Sequence, residues 1–276
     1  MWNGGDMLKG IGKRVLFAGR VCGWLLLAAS GLVTIHYMVR VFVTDRFFIP
    51  SESMFPTIEP GEYVYVNKLL YGPRLYTSFE FSEHAPLRCV RLPGLRRIRP
   101  GDIAAFNFPF GYDDWSRIEF RLNYVYCKRM AGTPGDVIGI SDGIFWNGSV
   151  SGIIGVKERQ MRLQRMSDSL IAFISWYDAI PLSRPVWNVK NMGPLTVPGK
   201  GMTFVLDDFL RELYRHAIEY ETALPADSFQ TYTFRHDWYF ALGDNSCDSK
   251  DSRFWGFVPD DFIIGIVPQN RKGRGK

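Results

Sequence analysis

Nineteen consecutive residues, VCGWLLLAASGLVTIHYMV from Val21 to Val39, carry no formal charge, and the run stays apolar through Val41-Phe42-Val43 after Arg40. A bilayer core takes roughly 20 apolar residues of helix, so this segment is long enough to span one. A cleaved secretory signal is the competing reading, because Ala28-Ala29-Ser30 has the small-x-small form of a cleavage site. The run continues well past Ser30, as an anchor does, and a transmembrane helix is expected over residues 21–43. Lys9, Lys13, Arg14 and Arg20 precede the span, against Arg40 and Arg46 just after it. That asymmetry predicts a cytoplasmic segment 1–20 and an exported bulk, residues 44–276, on the outer face of the cytoplasmic membrane.

The formal net charge of +5 suggests nucleic acid until it is located along the chain. The excess sits at the two ends, in residues 1–20 and in the tail NRKGRGK. What remains offers no basic face for a duplex, so no nucleic-acid partner is expected, and the basic ends suit anionic lipid or water.

After the anchor the pattern is that of short strands with turn punctuation. EYVYVNKLLYG alternates polar and apolar residues, and DVIGISDGIFWNGSV holds two strand-like runs around Asp142-Gly143, with a further turn signal at Asn147-Gly148. One clear helix is predicted over 207–221, where Phe209, Leu210, Leu213, Tyr214, Ala217 and Ile218 form one apolar stripe behind an aspartate start. The fold class expected is mainly β, on a single N-terminal membrane helix.

The chemistry is more restricted than the composition suggests. Four histidines, His36, His84, His216 and His236, lie in no nucleophile-elbow context, since no serine sits in G-x-S-x-G. Cys22, Cys89, Cys127 and Cys247 form no C-x-x-C, and H-E-x-x-H is absent, so no metal or cofactor is expected. What remains is PSESMFP, residues 50–56, a Ser-Glu-Ser fenced by prolines beside the membrane, and a lysine in the strand-like run RLNYVYCKR. In that run Lys128 shares a face with Tyr124 and Tyr126, while Cys127 and Arg129 face the other way. A strand lysine is ordinarily a solvated edge residue; a buried one loses its proton near neutral pH and can serve as a base.

Four stretches, in this order behind one anchor, carry a resemblance: PSESMFPTIEPGEYVYVNK, IRPGDIAAF, YCKRMAGTPGD and ALGDNSCDSKDSRFWGFVP. Together they resemble the boxes of bacterial type I signal peptidases (leader peptidases), a family of Ser-Lys dyad serine proteases. The resemblance implies a signal-peptidase-like β-sheet catalytic domain with its core at about 44–148 and 236–268, a small α/β insert at about 149–235, and the basic tail 270–276. It implies removal of N-terminal signal peptides from exported preproteins, with signal peptides and the lipid bilayer as partners and no cofactor. On matching positions Ser53 is the nucleophile and Lys128 the general base. Ser51 joins the Ser53 N–H in the oxyanion hole, Ser249 and Asp251 orient the lysine with Arg253 partnering Asp251, and Arg129 with Asp244 is a supporting ion pair. The last box departs from the family's usual Gly-Asp-Asn-Arg, with Ser246 and Cys247 after Asn245, so a neighbouring contact must differ.

Two other classes fit parts of the pattern: a Ser-Lys self-cleaving repressor, which would carry a DNA-binding domain where this chain has its span, and a non-catalytic anchored relative that kept the boxes as scaffold. Two secondary expectations complete the reading. FNFPFGYDDW crowds Phe106, Phe108, Phe110, Tyr112 and Trp115 into a segment that is either buried strand or an interfacial anchor. Cys127 and Cys247 are expected to be neighbours able to pair, since their boxes converge on one site.

Overall fold

The computed structural model describes residues 4–78, 80, 87–111, 114–167, 169–171, 180 and 187–269. Helix α1 runs unbroken from Gly4 to Phe42, about 58 Å at 1.5 Å per residue. Its stretch Leu16–Phe42 is apolar enough to cross a bilayer, with none of that window buried against the protein. The helix therefore begins well before the first apolar residue of the span and carries the N-terminal basic segment on the same rod.

Among the described residues fourteen strands follow: β1 Thr44–Phe48, β2 Tyr63–Asn67, β3 Arg74–Tyr76, β4 Cys89–Arg91, β5 Ile103–Asn107, β6 Val125–Gly132, β7 Val137–Ser141, β8 Ile144–Asn147, β9 Met192–Thr196, β10 Thr203–Val205, β11 Thr231–Thr233, β12 Trp238–Leu242, β13 Val258–Pro259 and β14 Ile263–Val267. Seven of them make one antiparallel sheet in the order β1-β2-β14-β5-β6-β12-β13, and β8-β7-β9 make a second. The mainly β class expected from the alternation is the class observed. The β7–β8 hairpin turns at Asp142-Gly143, both at positive φ, with Ser141 opposite Ile144. That is the two-residue loop which an Asp-Gly pair favours.

Residues 103–106 show how the large sheet is filled on both faces. Ile103 and Ala105 join Cys127, Val64, Val66 and Met54 on one side, while Ala104 and Phe106 join Met130, Ala241, Trp255 and Phe262 on the other. Period-two alternation alone produces this division, and a central strand covered on both faces reads as continuously apolar. A third cluster joins Ala131 and Phe240 to Ile138, Phe145, Leu195, Tyr214 and Ile218, so the segment after 149 packs onto the seven-stranded sheet through apolar burial.

Two expectations need correction, and one open alternative is decided. The helix predicted over 207–221 is two, Asp208–Leu213 and Arg215–Thr222. They break at Tyr214, which is fully buried and whose hydroxyl donates to the Thr196 carbonyl at 2.7 Å. Phe106, Phe108 and Phe110 are buried, Phe108 stacking on Tyr126 with centroids 4.5 Å apart and meeting Trp255 edge-on, so the aromatic run is core and not an interfacial anchor. Trp115 packs against Phe108; Tyr112 lies outside the described residues. All four cysteines are free. Cys127 is buried with Met54 and Ile103, and its thiol is pushed up to about 12 by burial, whereas Cys247 packs near Leu163, Ile171 and Val189.

Candidate active site

Ser51 and Ser53 sit at the start of a single 3-10 turn, Glu52–Met54, between β1 and β2. Met54, fully buried, plugs this turn into the sheet face beside Ile49 and Ile58 and leaves the serines outward. The two hydroxyls lie 3.2 Å apart. Asn245 fastens the turn from the facing loop: its backbone N–H donates to the Ser53 carbonyl at 3.0 Å and its side-chain Nδ2 to the Glu52 carbonyl at 3.2 Å.

Lys128 stands opposite Ala104 in the β5–β6 ladder and is 3% exposed. Its Nζ donates to Ser249 Oγ at 3.1 Å and lies 5.7 Å from the centre of the Tyr126 ring. Burial brings the ammonium down to about 8, against the opposing pull of Asp251 and Cys127. Withdrawing a lysine from water penalises only its charged form, which is why the direction is downward.

Ser249 is held where Lys128 can use it by a buried ion pair. Arg253 Nε and Nη2 donate to Asp251 Oδ1 and Oδ2 at 2.8 and 2.9 Å, and the Gly243 N–H donates to Asp251 Oδ2 at 2.9 Å. Burial pushes the Asp251 carboxyl up, but Arg253, Lys128 and the Gly243 N–H together hold it below the usual carboxylate range. A second bidentate pair, Arg129 Nε and Nη2 to Asp244 at 2.6 Å each, lies on the opposite face of β6 and ties that strand to the Gly243–Asn245 loop. Arg129 also donates to the Gly101 carbonyl at 2.7 Å, and Thr57 donates to Asp244. Paired charges satisfied this fully can remain buried.

Ser51, Ser53 and Lys128 line one cleft of about 600 Å³, with Ile49, Tyr126, Asp248 and Lys250 among its other walls. All eight residues singled out from the sequence, Ser51, Ser53, Lys128, Arg129, Asp244, Ser249, Asp251 and Arg253, therefore belong to this cleft or to its immediate support. The arrangement combines a serine turn with a lysine whose proton is loosely held, the components of nucleophilic catalysis without histidine. Among the described residues one cluster has metal-ligand chemistry, His236, Asp260 and Asp261, with ligand atoms within 4.8 Å of one another. None of the three lines the cleft, and they are already engaged, His236 Nδ1 with Asp260 at 2.9 Å and Asp261 with the Tyr220 hydroxyl at 2.8 Å.

A family model described as "Signal peptidase, peptidase S26" matches residues 22–269. The chain belongs to this family of serine peptidases. Relatives include the signal peptidase I of Buchnera aphidicola subsp. Baizongia pistaciae (strain Bp), 27% identical over 253 residues that cover 86% of this chain and 72% of that protein. The signal peptidase I of Pseudomonas aeruginosa is 26% identical over 233 residues, 84% of this chain and 62% of that protein. A crystal structure of a signal peptidase I from Enterococcus faecalis V583 covers 62% of this chain and 97% of its own at 19% identity, with a TM-score of 0.31.

Within this S26 peptidase the sequence reading overlooked three residues. Asn245 holds two carbonyls of the serine turn, Thr57 donates to Asp244, and Ser252 accepts the Ala241 N–H at 2.9 Å beneath the site. Each bonds to the backbone or to a residue far away in the chain, and no local pattern signals such a bond. Gly243 carried a signal, its place in the last box, but the reason is spatial: a Cβ there would lie 2.0 Å from Ser249 Oγ and 2.5 Å from the Ser53 carbonyl oxygen.

Proposed function

We propose that this S26 peptidase is a membrane-anchored endopeptidase that removes N-terminal signal peptides from exported preproteins, with Ser53 as nucleophile and Lys128 as general base. The observation that carries the dyad is Lys128 itself, buried at the wall of the cleft that Ser53 lines and brought down to about 8. A serine hydroxyl at its own pKa is a poor nucleophile and needs a base within reach.

In the first half-reaction Ser53 Oγ attacks the scissile carbonyl carbon as its proton passes to neutral Lys128 Nζ. The carbonyl oxygen becomes an oxyanion that accepts from the Ser53 N–H and the Ser51 hydroxyl. The C–N bond then breaks, the leaving amine takes the proton from Lys128, and the signal peptide stays as an ester on Ser53. Water attacks that ester with Lys128 again as base, freeing the carboxylate and restoring Ser53. Ser249, accepting from Lys128 Nζ, keeps the amine in one position through both steps. Each oxyanion donor is worth about 3 to 4 kcal/mol when removed.

The substrate is expected to bind extended. β12 pairs with β6 only at Arg129, Met130 and Gly132, which leaves Val125–Lys128 unpaired on that side where they line the cleft. A strand laid there would turn alternate side chains toward the enzyme, consistent with small residues at the first and third positions before the cut. The cytoplasmic N-terminus and exported catalytic domain follow from the flanking charges.

The test is cleavage of a synthetic Ala-x-Ala signal-sequence peptide by the full-length protein in detergent. Ser53→Ala and Lys128→Arg are expected to be folded and inactive, and their double variant no worse, because a guanidinium stays protonated and the two groups act as a unit. In the wild type kcat/KM should rise with pH and level off above about 8. Near-normal cutting by folded Lys128→Arg, or equal rates for peptides with Phe in place of the two Ala, would sink this reading.

A further inference from the structure

The helix Lys157–Arg165, in the segment after 149, reaches the serine turn without contributing to the dyad. It is held firmly. Gln160, 5% exposed, accepts the Phe145 N–H at 3.0 Å and donates to the Ile154 carbonyl at 2.6 Å, and Leu163 is buried beside Ile171 and Val189. Gly155, at φ +92°, brings the preceding loop against Asp244, to whose Oδ1 a Cβ there would come within 3.4 Å. From this mount Arg159 makes two contacts with the catalytic loops. Its guanidinium lies 4.8 Å over the Phe55 ring, two residues beyond Ser53, and its Nη1 donates to Asn245 Oδ1 at 3.5 Å. Its carbonyl accepts from the Cys247 thiol at 3.9 Å, fastening the helix to the same loop from the other side.

The Asn245 carboxamide is thereby held at both ends. A guanidinium can only donate and a peptide carbonyl can only accept, so just one amide orientation satisfies Arg159 and the Glu52 carbonyl together: Oδ1 toward the arginine, Nδ2 toward Glu52. The Glu52–Ser53 peptide is planar and trans, so its C=O and the Ser53 N–H point in opposite directions. Fixing the one aims the other. We propose that Arg159 is a positioning residue of this peptidase: through Asn245 it locks the Glu52 carbonyl and so aims the Ser53 N–H at the oxyanion, while its stacking pins Phe55, two residues further on. The proposal rests on Ser53 being the nucleophile.

A lost aim lowers transition-state binding and leaves ground-state binding alone. With full-length protein in detergent and the Ala-x-Ala peptide, Arg159→Met, which keeps an unbranched apolar side chain on the helix but donates nothing, is expected to lower kcat on the order of tenfold. That is less than the roughly 10²–10³-fold loss of an oxyanion donor removed outright. KM and the pH midpoint set by Lys128 should not move. Arg159→Lys should recover part of the rate, since an ammonium can both stack and donate. Asn245→Ala should lose a similar factor, and adding Arg159→Met to it should lose nothing more. Affinity for a peptide aldehyde, which forms an oxyanion on Ser53, should fall in parallel with kcat, while affinity for an uncleavable peptide stays.

Arg159→Ala serves as a second variant with the stem removed. Either folded variant cutting at the wild-type rate would overturn the proposal. So would a rise in KM that tracks charge on the peptide, which would make Arg159 a substrate contact, or multiplicative losses with Asn245→Ala. A lowered melting temperature with unchanged kcat would leave it a packing residue only, and the proposal would fall. Retained activity in Ser53→Ala would instead remove the dyad; an inactive Ser53→Ala beside a fully active Arg159→Met removes only the role of Arg159.

Discussion

Gly243 is the tightest point of the site, because the Ser53 carbonyl, Ser249 and the Asp251 carboxylate all press on its backbone. Gly243→Ala must push Ser249 or the serine turn aside, and a displacement on the order of 1 Å at a reacting group lowers rates about 10²-fold. Cleavage by Gly243→Ala is expected to fall by at least that factor, as read from kcat/KM, in a protein that circular dichroism shows still folded. Lys128 makes a different demand. Its folded value near 8 lies below the ordinary 10.5, so between those pH values the unfolded chain holds the extra proton and stability rises with pH. Below about 8 the full penalty for burying the ammonium applies. Lys128→Met should therefore be inactive yet melt no lower than wild type at pH 7, and its advantage should shrink by pH 10. A melting temperature well below wild type at pH 7 would contradict this account of the burial.

At the scale of elements, a polar cluster fastens the entry to β12 against the turn that leads into β14. His236 Nδ1 bonds Asp260 at 2.9 Å, and the Asp260 N–H donates to the Asp237 carbonyl at 2.8 Å. Glu221, from the helix Arg215–Thr222, accepts the backbone N–H groups of Arg235 and His236 and the Trp238 indole. The hydrogen bond to Asp260 raises His236 to about 8, with burial working against it. A base whose folded value is raised stabilises fully below its unfolded value near 6.5 and loses that contribution as pH climbs through about 8. His236→Gln is therefore expected to lower the melting temperature more at pH 6 than at pH 9, in thermal melts of both proteins at each pH. Equal losses would mean the ring acts only by packing.

For the whole molecule, the question is how much the N-terminal apolar helix supports the β body. The described links are few: the Lys68 N–H donates to the Val43 carbonyl at 2.9 Å, Lys68 Nζ to the Arg40 carbonyl at 2.5 Å, and Arg40 pairs with Asp45 at 3.0 Å. Exposed pairs of this kind contribute about 0–1 kcal/mol. Among the described residues, none of the four buried apolar clusters contains a residue of α1. A chain lacking residues 1–42 is expected to unfold cooperatively within a few degrees of the full-length protein in the same detergent, whereas full-length protein should stay with membranes through carbonate extraction. A large fall in melting temperature on deletion would show that the helix completes the fold.

Much of this was legible in the residues because it depends on local chemistry. An uncharged run of bilayer length, alternation in β5 and β6, and Asp142-Gly143 at a two-residue turn each act within a few positions, and the four boxes carried the family and every site residue named from them. The burial of Lys128 was not local. Tyr126, Ser249 and the Asp251–Arg253 pair enclose it from separate parts of the chain, and only that enclosure turns a strand lysine into a weak acid near 8. The same holds elsewhere: Phe106, Phe108 and Phe110 suited either membrane or core until Trp255 and Tyr126 packed on them, and the predicted helix over 207–221 divides at Tyr214, whose ring packs against Phe204, Phe234 and Phe257 from separate parts of the chain. Sequence determined which groups the protein has and the periodicity that sorts them; the tertiary structure decided which lose their water, because desolvation depends on neighbours brought in from far along the chain.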